Sequence, residues 1–436
     1  MELILLIIYG GLLSTAVIKL SFFKDSHLSA KVLLSIYWIK IAAGCLYGYL
    51  HLYYYDGGDT WSFLKDSHVV YNSFFDHPAY FFELILGPIN RPIPDYLAGY
   101  IEIIVGWTDW RYYSVLRVDA LIHLIAGNYY SVHVVFWAFL SFIGIIGLYR
   151  TFAAYFPTKA SLIAFFLFCS PSIVFWSSGI HKDGLTLFCM GTMVYHFHQS
   201  LQKGFNIKRV LVIFFNAFFL VMLRPYAIGL LIPAMIACYW SFRKPKQILI
   251  KYLVVYFIAV VAAQFISLYS PFNIFAKIAD TRYYFVEHSK GDADIDIAIL
   301  EPTLLSMIQH SPAALYNTLC RPHLGDVNSL RRALSMIETW AFLCLILLAL
   351  LFRDKFPQKE QLAIFYFALF FSLSFYVFVG LIVDNLGAIV RYRTNALPFL
   401  LFIMLVIMDV EKVKKRVKRI LGSLTIFAKK TKTSEV

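Results

Sequence analysis

Charged residues are scarce in this sequence. Asp, Glu, Lys and Arg make up 15% of its 436 residues, whereas a soluble domain carries about a quarter. Hydrophobic residues make up 60%, and the mean hydropathy is +0.69. A soluble chain of this composition would expose large apolar patches and aggregate. The shortage of charge therefore excludes an ordinary soluble protein and predicts an integral membrane protein.

Motifs for nucleotide-driven and zinc-dependent chemistry are also missing. The sequence has no Walker loop, no GxGxxG motif after a strand, no GxSxG and no HExxH. Its six cysteines include no CxxC pair and no His/Cys metal spacing. We therefore predict no ATP-driven pump, no disulfide, no metal site and no cofactor. The carboxylates of the sequence leave the binding of a divalent metal ion possible.

Long apolar stretches are what the sequence has instead. A membrane-spanning helix needs ~20 predominantly apolar residues. Candidate stretches lie near 2–20, 30–50, 130–149, 160–176, 183–201, 208–222, 225–241, 248–268, 335–352, 361–383 and 394–409. We predict an all-α fold, a polytopic bundle of about eleven transmembrane helices. Arg224-Pro225 is interpreted as a tight turn, because the 34 residues around it exceed any bilayer.

Lys and Arg cluster in five of the connections between these stretches. The clusters lie at 150–159, 202–209, 242–251, 353–360 and after residue 410. With eleven spans all five fall on one side, which the positive-inside rule assigns to the cytoplasm. We therefore predict an outer N-terminus, an inner C-terminus and a bacterial inner membrane. The first stretch lacks the basic start of a cleaved signal peptide and carries Glu2 there.

The predicted organisation is a single transmembrane domain, 1–410, followed by a cytoplasmic tail, 411–436. The tail holds nine Lys or Arg against two Glu. Val410, Val413 and Val417 recur at helical spacing opposite those cations. This pattern predicts a basic amphipathic helix on the anionic membrane lipids rather than a nucleic-acid binder.

Two long loops, about 51–129 and 269–334, lie on the predicted outer face. Long loops in a compact protein are usually functional. The first contains apolar stretches near 78–89, 96–106 and 113–126, which are too short or too interrupted to span. We predict that these stretches form helices lying in the membrane interface.

An acidic motif, Asp56-Gly57-Gly58-Asp59, directly follows the stretch 30–50. Glycines permit a positive φ angle and the close approach of a ligand. A carboxylate at this boundary could accept a proton from an attacking hydroxyl or hold a metal. The alternative is a solvated turn that ends the helix.

Basic residues supply candidates for binding an anion. His181 and Lys182 lie in a crowded polar connection and could bind a phosphate, whereas Asp183 is interpreted as a helix N-cap. Arg suits phosphate because its planar fork gives paired hydrogen bonds. The candidate substrate-binding residues, all on the predicted outer side, are His181, Lys182, Arg224, Arg321, His323, Arg391 and Arg393. Snorkelling of single basic side chains to the interface is the alternative.

This layout resembles the GT-C superfamily of polytopic glycosyltransferases, which use lipid-linked sugar donors. The likeness spans about residues 30–410: a span, the motif Asp56-Gly57-Gly58-Asp59, a first outer loop with surface helices, closely spaced spans and a second outer loop. It implies transfer of a sugar from polyprenyl phosphate to a glycan acceptor on the outer face, as in bacterial surface-polysaccharide synthesis. Asp56 or Asp59 would then be the base, and the Lys and Arg residues would bind the donor's phosphate. The extra span at 2–20 departs from the family.

Two alternatives remain at this point. One is a Wzy-type polysaccharide polymerase or an O-antigen ligase, which uses polyprenyl-pyrophosphate glycans. The other is a transporter or flippase, which should carry polar groups and broken helices at the bilayer midplane. The polar groups instead cluster at one face, apart from His196, His198 and Glu338.

Overall fold

The computed structural model describes residues 1–55, 57–88, 93–288, 293–354, 357–416, 418 and 419. These residues include twenty α-helices with defined bounds and two short 3₁₀-helices, Pro157–Lys159 and Leu324–Asp326. Within the described ranges, β-type pairing is limited to two isolated bridges, Asp294 with Asn385 and Arg353 with Met408. The predicted all-α fold is confirmed. Asp56 and most of the predicted tail helix lie outside the described residues, whereas residues 410–416 are helical.

The helices divide along the chain into five groups. The first group is α1 (Glu2–Lys19), α2 (Ser21–Lys24) and α3 (Ala30–Tyr54). The second is α4 (Gly58–Asp76), α5 (Pro78–Leu86), α6 (Asp95–Ile101) and α7 (Trp110–Ala126). The third is α8 (Tyr130–Tyr155), α9 (Ala160–Cys169), α10 (Pro171–Trp176), α11 (Lys182–Lys203), α12 (Ile207–Leu223), α13 (Pro225–Arg243) and α14 (Ile248–Tyr269). The fourth is α15 (Ile274–His288) and α16 (Leu304–Cys320), and the last is α17 (Leu330–Leu351), α18 (Lys359–Ile382), α19 (Leu386–Arg393) and α20 (Leu397–Ile407).

Short polar side chains and prolines set many of these boundaries. Ser29, Asp109 and Asn385 each accept a hydrogen bond from a backbone N–H in the first turn of α3, α7 and α19. Pro171 and Pro225 stand in the first turns of α10 and α13, where the missing N–H is not needed. The turn predicted at Arg224-Pro225 is therefore confirmed.

Seven described helices are long and apolar enough to cross a membrane, and the bent pair α19–α20 raises the number to eight. The seven are α1, α3, α8, α13, α14, α17 and α18. Three predicted spans differ from this set: 160–176 is broken into α9 and α10, 183–201 is the more polar α11, and 208–222 is the 17-residue α12. The count of eleven, and the orientation that depends on it, stay predictions.

The two predicted outer loops are largely helical. The three predicted surface stretches overlap α5, α6 and α7, whereas α4 was not predicted. In the second loop α16 packs along α18, where the carbonyl of Ala314 lies against Gly380. A segment that hydropathy assigns to a long loop thus contributes a helix, α16, to the bundle.

Contacts join several basic connections at one end of the bundle, called here the basic end. Lys159 Nζ donates to the carbonyls of Val406 and Met408 at 2.6 and 2.9 Å and pairs with Asp354 at 3.0 Å. Arg150 pairs with Asp25 at 3.4 Å. The helices α3, α11 and α13 run from this end to the opposite one, which carries the candidate site described below.

Glycines bring the central helices α8 and α11 into backbone contact. A Cβ added at Gly191 would overlap the carbonyl of Gly144, and one added at Gly147 would lie 2.8 Å from the carbonyl of Gly191. Small residues permit such close approach in membrane bundles, where packing rather than water exclusion holds helices together. This contact fixes α11, and so its N-terminal residues, relative to α8.

We expect Gly191→Ala to destabilise the protein by about 1–3 kcal/mol, because the new methyl group must push α8 and α11 apart. Gly229→Ala on α13 is the matched control, since its Cβ would meet no atom within 4 Å. Thermal unfolding of the purified protein in detergent measures both variants. Equal melting temperatures for the two would contradict the close contact.

Candidate functional site

A buried carboxylate, Asp183, organises the end of the bundle opposite the basic end. Its Oδ1 accepts hydrogen bonds from Arg224 Nη2 at 2.5 Å and Asn395 Nδ2 at 2.8 Å. Its Oδ2 lies 3.1 Å from Arg391 Nε and 2.8 Å from His181 Nδ1. Asp183 therefore joins four side chains from three parts of the sequence.

The local backbone explains how these groups converge. His181, not Asp183, is the N-cap of α11, and its Nδ1 lies 3.2 Å from the Asp183 backbone nitrogen. The interpretation of Asp183 as the cap is thus wrong, because it stands inside the first turn. Arg224 occupies the break that Pro225 imposes between α12 and α13. The α11 N-terminus adds its positive dipole end beneath the Asp183 carboxylate.

Arg391 connects this buried carboxylate with an exposed one, Asp59. Its Nη2 lies 3.2 Å from Asp59 Oδ2 and also contacts His181 Nε2. His181 Nε2 is 3.6 Å from the same Asp59 oxygen. The Asp59 side chain is 57% exposed and that of Arg391 is 20% exposed. The outer edge of the guanidinium is therefore accessible, whereas its inner edge is held by Asp183.

The surrounding charges keep Asp59 ionised. His181 first, and then Arg391 and Lys182, hold the pKa of the Asp59 carboxyl well below its usual range. A carboxylate in this state is a poor proton acceptor, because a general base works best when its pKa lies near the working pH. Asp59 becomes a better base when these partners, Arg391 among them, no longer stabilise its ionised form.

Lys182 lies beside this pair and faces the segment α4–α7. Its Nζ is 3.8 Å from Asp109 Oδ2 and lies over the rings of Phe63 and Tyr112 at 6.0 and 5.9 Å. Asp109 caps α7 and pairs with Arg111 at 3.1 Å. The α4–α7 segment thus closes one side of the site.

Arg224 lies behind Asp183 rather than at the surface. It is 5% exposed, contacts the Tyr226 hydroxyl, and stacks over the ring of Tyr392 at 4.4 Å. In this position Arg224 pairs with one oxygen of Asp183, and the other oxygen of Asp183 holds Arg391. Its predicted role in phosphate binding stays a prediction.

Three predicted residues form a separate group. Arg393 is buried and donates to the carbonyls of Thr318 and Arg321, both at 2.9 Å. Arg321 Nη1 and His323 Nδ1 lie 3.6 and 3.3 Å from Asp326 carboxylate oxygens. The structure therefore brings together Asp59, His181, Lys182, Arg224 and Arg391. The separate group, Arg321, His323 and Arg393, is not part of this site. Asp56 lies outside the described residues.

The sequence reasoning missed Asp183 and Asn395 as site residues. Asn395 follows Arg391 by four residues, a spacing that places two side chains on the same face of a helix. This spacing could have identified Asn395 as a site residue. It also missed Lys40, which is buried in α3 and donates to Ser177 Oγ at 2.7 Å and Ser178 Oγ at 3.0 Å. Lys40 thereby anchors the connection that leads to His181.

Comparisons of this chain with protein-family models, with curated proteins and with solved structures found no match.

Replacing Asp183 by Asn should destabilise the protein strongly, by about 3–5 kcal/mol, because it leaves two arginines facing a neutral amide in a buried site. Asp59→Asn is the matched control, since its carboxylate is largely exposed. Thermal unfolding in detergent compares them. A melting temperature for Asp183→Asn as high as that of Asp59→Asn would show that Asp183 does not hold this end together.

Proposed function

We propose that this protein is a membrane glycosyltransferase that moves a sugar from a polyprenyl-phosphate donor to a glycan acceptor. The observation that carries the proposal is the exposed Asp59–Arg391 pair, backed by Asp183 and placed at one end of a bundle of apolar helices. A lipid-linked donor can reach such a position from the bilayer without leaving it.

Arg391 is the proposed ligand of the donor's phosphate. Its Nε is fixed by Asp183 at 3.1 Å, so the guanidinium need not become ordered when the anion arrives. Its outer edge offers hydrogen-bond donors that suit a phosphate oxygen. Lys182, 21% exposed, supplies a second positive charge nearby. Positive charge at the phosphate stabilises it as a leaving group in the transition state.

Asp59 is the proposed general base. The acceptor hydroxyl gives its proton to Asp59 while its oxygen attacks the anomeric carbon. The bond from that carbon to the phosphate oxygen breaks, and polyprenyl phosphate leaves with the electron pair. One displacement of this kind inverts the anomeric configuration.

Donor binding itself would activate this base. A phosphate that takes Arg391 Nη2 removes the nearest cation from Asp59, at present 3.2 Å away. The pKa of the Asp59 carboxyl then rises towards its ordinary value, because a neighbouring positive charge no longer favours the ionised form. Donor binding thus makes Asp59 a stronger base, while His181 and Lys182 remain beside it.

The site is proposed to face outward from a bacterial inner membrane. It lies at the end of α11 and α13 opposite their basic connections, and Lys and Arg favour the cytoplasmic side. An outward site would receive donors that are already exposed on that leaflet, with membrane lipids around the apolar helices.

Asp59→Asn should lower kcat for sugar transfer by about 100-fold or more, the usual contribution of a general base. Protein in lipid nanodiscs is incubated with a panel of polyprenyl-phosphate sugars and glycan acceptors, and products are identified by mass spectrometry. The exposed Asp280→Asn on α15 is the control. A folded Asp59→Asn enzyme with the parent rate would rule Asp59 out as the base, and transfer of a whole repeat unit would indicate a polymerase or ligase.

For Arg391→Lys we expect a higher KM for the donor, because lysine keeps the charge but loses the forked hydrogen bonds. Transfer is measured over a range of donor concentrations. Arg331→Lys, whose guanidinium lies over the ring of Tyr55 at 4.4 Å, is the control. An unchanged KM would place the donor's phosphate elsewhere.

A further inference from the structure

A half-buried histidine, His51, lies in the last turn of α3, next to the turn that leads to Asp59. Its backbone carbonyl accepts hydrogen bonds from the backbone nitrogens of Tyr55 and Gly57 at 3.2 and 2.8 Å. Gly57 and Gly58 have positive φ angles of 90° and 53°, which let the chain fold tightly around His51. The turn therefore keeps the start of α4, and with it Asp59, beside this histidine.

Hydrogen bonding determines which ring nitrogen of His51 carries the proton. Nδ1 lies 2.9 Å from the backbone carbonyl oxygen of Tyr47, which can only accept, so Nδ1 is protonated. In the neutral imidazole the other nitrogen, Nε2, then has a lone pair that can accept a hydrogen bond. Within the part of the chain that the structure describes, no donor lies within hydrogen-bonding distance of Nε2. The lone pair is therefore available to a ligand.

Aromatic rings hold the His51 ring in one orientation. Its centroid lies 4.0 Å from that of Tyr47, and it stacks on Tyr55 at 4.9 Å. A Cβ atom built at Gly58 would lie 3.1 Å from His51 Cδ2, the ring carbon that is bonded to Nε2. The Nε2 edge of the ring thus lies beside the turn that precedes Asp59.

Further contacts connect His51 with the candidate site. The ring of Tyr47 lies next to His51 and, at 6.3 Å between centroids, to His181. His181 Nε2 is in turn 3.6 Å from Asp59 Oδ2. The titratable and charged groups that act on the His51 ring from other elements are Asp59, His181 and Arg391. A sugar held at Asp59 therefore has His51 as a neighbour.

The chemistry of Nε2 suits a hydroxyl group rather than a phosphate. A lone pair on a neutral imidazole accepts a hydrogen bond from an O–H group, whereas the oxygens of an ionised phosphate are themselves acceptors. The donor's phosphate is assigned to Arg391 and the attacking hydroxyl to Asp59. A sugar acceptor carries further hydroxyls beside the attacking one, and these are the groups left for His51.

We propose that His51 Nε2 accepts a hydrogen bond from a second hydroxyl of the acceptor sugar. The inference rests on the proposed glycosyltransferase function and adds the class of acceptor: a sugar with two hydroxyls at the site, one deprotonated by Asp59 and the other held by His51. Two contacts orient the attacking oxygen better than one. Because a protonated ring has no lone pair, the contact with His51 is lost as the pH falls through the pKa of its imidazole.

Two variants, His51→Asn and His51→Gln, separate this contact from a structural role. Asn keeps an N–H for the Tyr47 carbonyl but has no atom at the position of Nε2, whereas Gln can place its carbonyl oxygen there. Transfer is measured with the donor and acceptor that the mass-spectrometric panel identifies. We expect the Asn variant to raise the acceptor KM about 10-fold and to leave the donor KM unchanged.

The Gln variant should recover much of the acceptor KM. It should also remove the rise in acceptor KM that the wild-type protein shows as the pH falls, because an amide does not titrate. An unchanged acceptor KM in His51→Asn, or an equal increase in both variants, overturns the role of His51. His77→Asn is the control and should leave both KM values unchanged, since its ring stacks on Tyr80 and not on a site residue.

Chemical modification of the wild-type protein in lipid nanodiscs tests the same nitrogen without a variant. Diethyl pyrocarbonate acylates an accessible, unprotonated imidazole nitrogen, and peptide mass spectrometry locates the product. We expect His51 and the exposed His77 to react, whereas the fully buried His133 does not. The glycan acceptor should protect His51 and leave His77 reactive. A His51 as unreactive as His133, or one that the acceptor does not protect, overturns the proposal.

The two measurements also separate this inference from the function on which it rests. A wild-type protein that transfers no sugar, although its His51 reacts, contradicts the proposed function and the acceptor contact with it. Sugar transfer by a wild-type protein whose His51 is unreactive overturns the role of His51 alone.

Discussion

The buried ion pairs of Asp183 hold together the end of the bundle that carries the candidate site. Without this carboxylate, Arg224 would be buried with no counter-charge, and Arg391 would lose the partner that holds its Nε. Burying an unpaired charge costs several kcal/mol, so each partner depends on the others. The position of Arg391, and with it the exposed edge that meets Asp59, follows from that mutual dependence.

The charges of this group balance. Asp59 and Asp183 oppose Arg224 and Arg391, and Lys182 is paired with Asp109. Its two halves differ in exposure: Asp183 and Arg224 are buried, whereas Asp59 is open to solvent. An incoming anion can therefore displace the outer carboxylate from Arg391 without disturbing the inner ion pairs. This asymmetry is what a site needs if it is to exchange ligands while the fold stays intact.

Hydropathy predicted the all-α bundle and the break at Arg224-Pro225, because a bilayer limits helix length and proline ends helices. It did not predict the break at Ser170-Pro171 or the 65° bend between α19 and α20, since counting apolar residues carries no information about helix direction. Asp59, His181, Lys182 and Arg391 were predicted from residue type. The role of Asp183 was not, because Arg391 lies 208 positions away and local rules favour a cap. Arg393 failed to join the site because two helical steps turn it to the opposite face of α19.

The most direct test of the proposed function is a cryo-EM structure in lipid nanodiscs with a polyprenyl-phosphate sugar bound. We predict phosphate density within hydrogen-bonding distance of Arg391, separation of Arg391 from Asp59, and Asp59 facing the anomeric carbon. Donor density at another place, with the Asp59–Arg391 pair intact, would contradict the proposed site. A water-filled path through the bundle with no bound donor would point to transport instead.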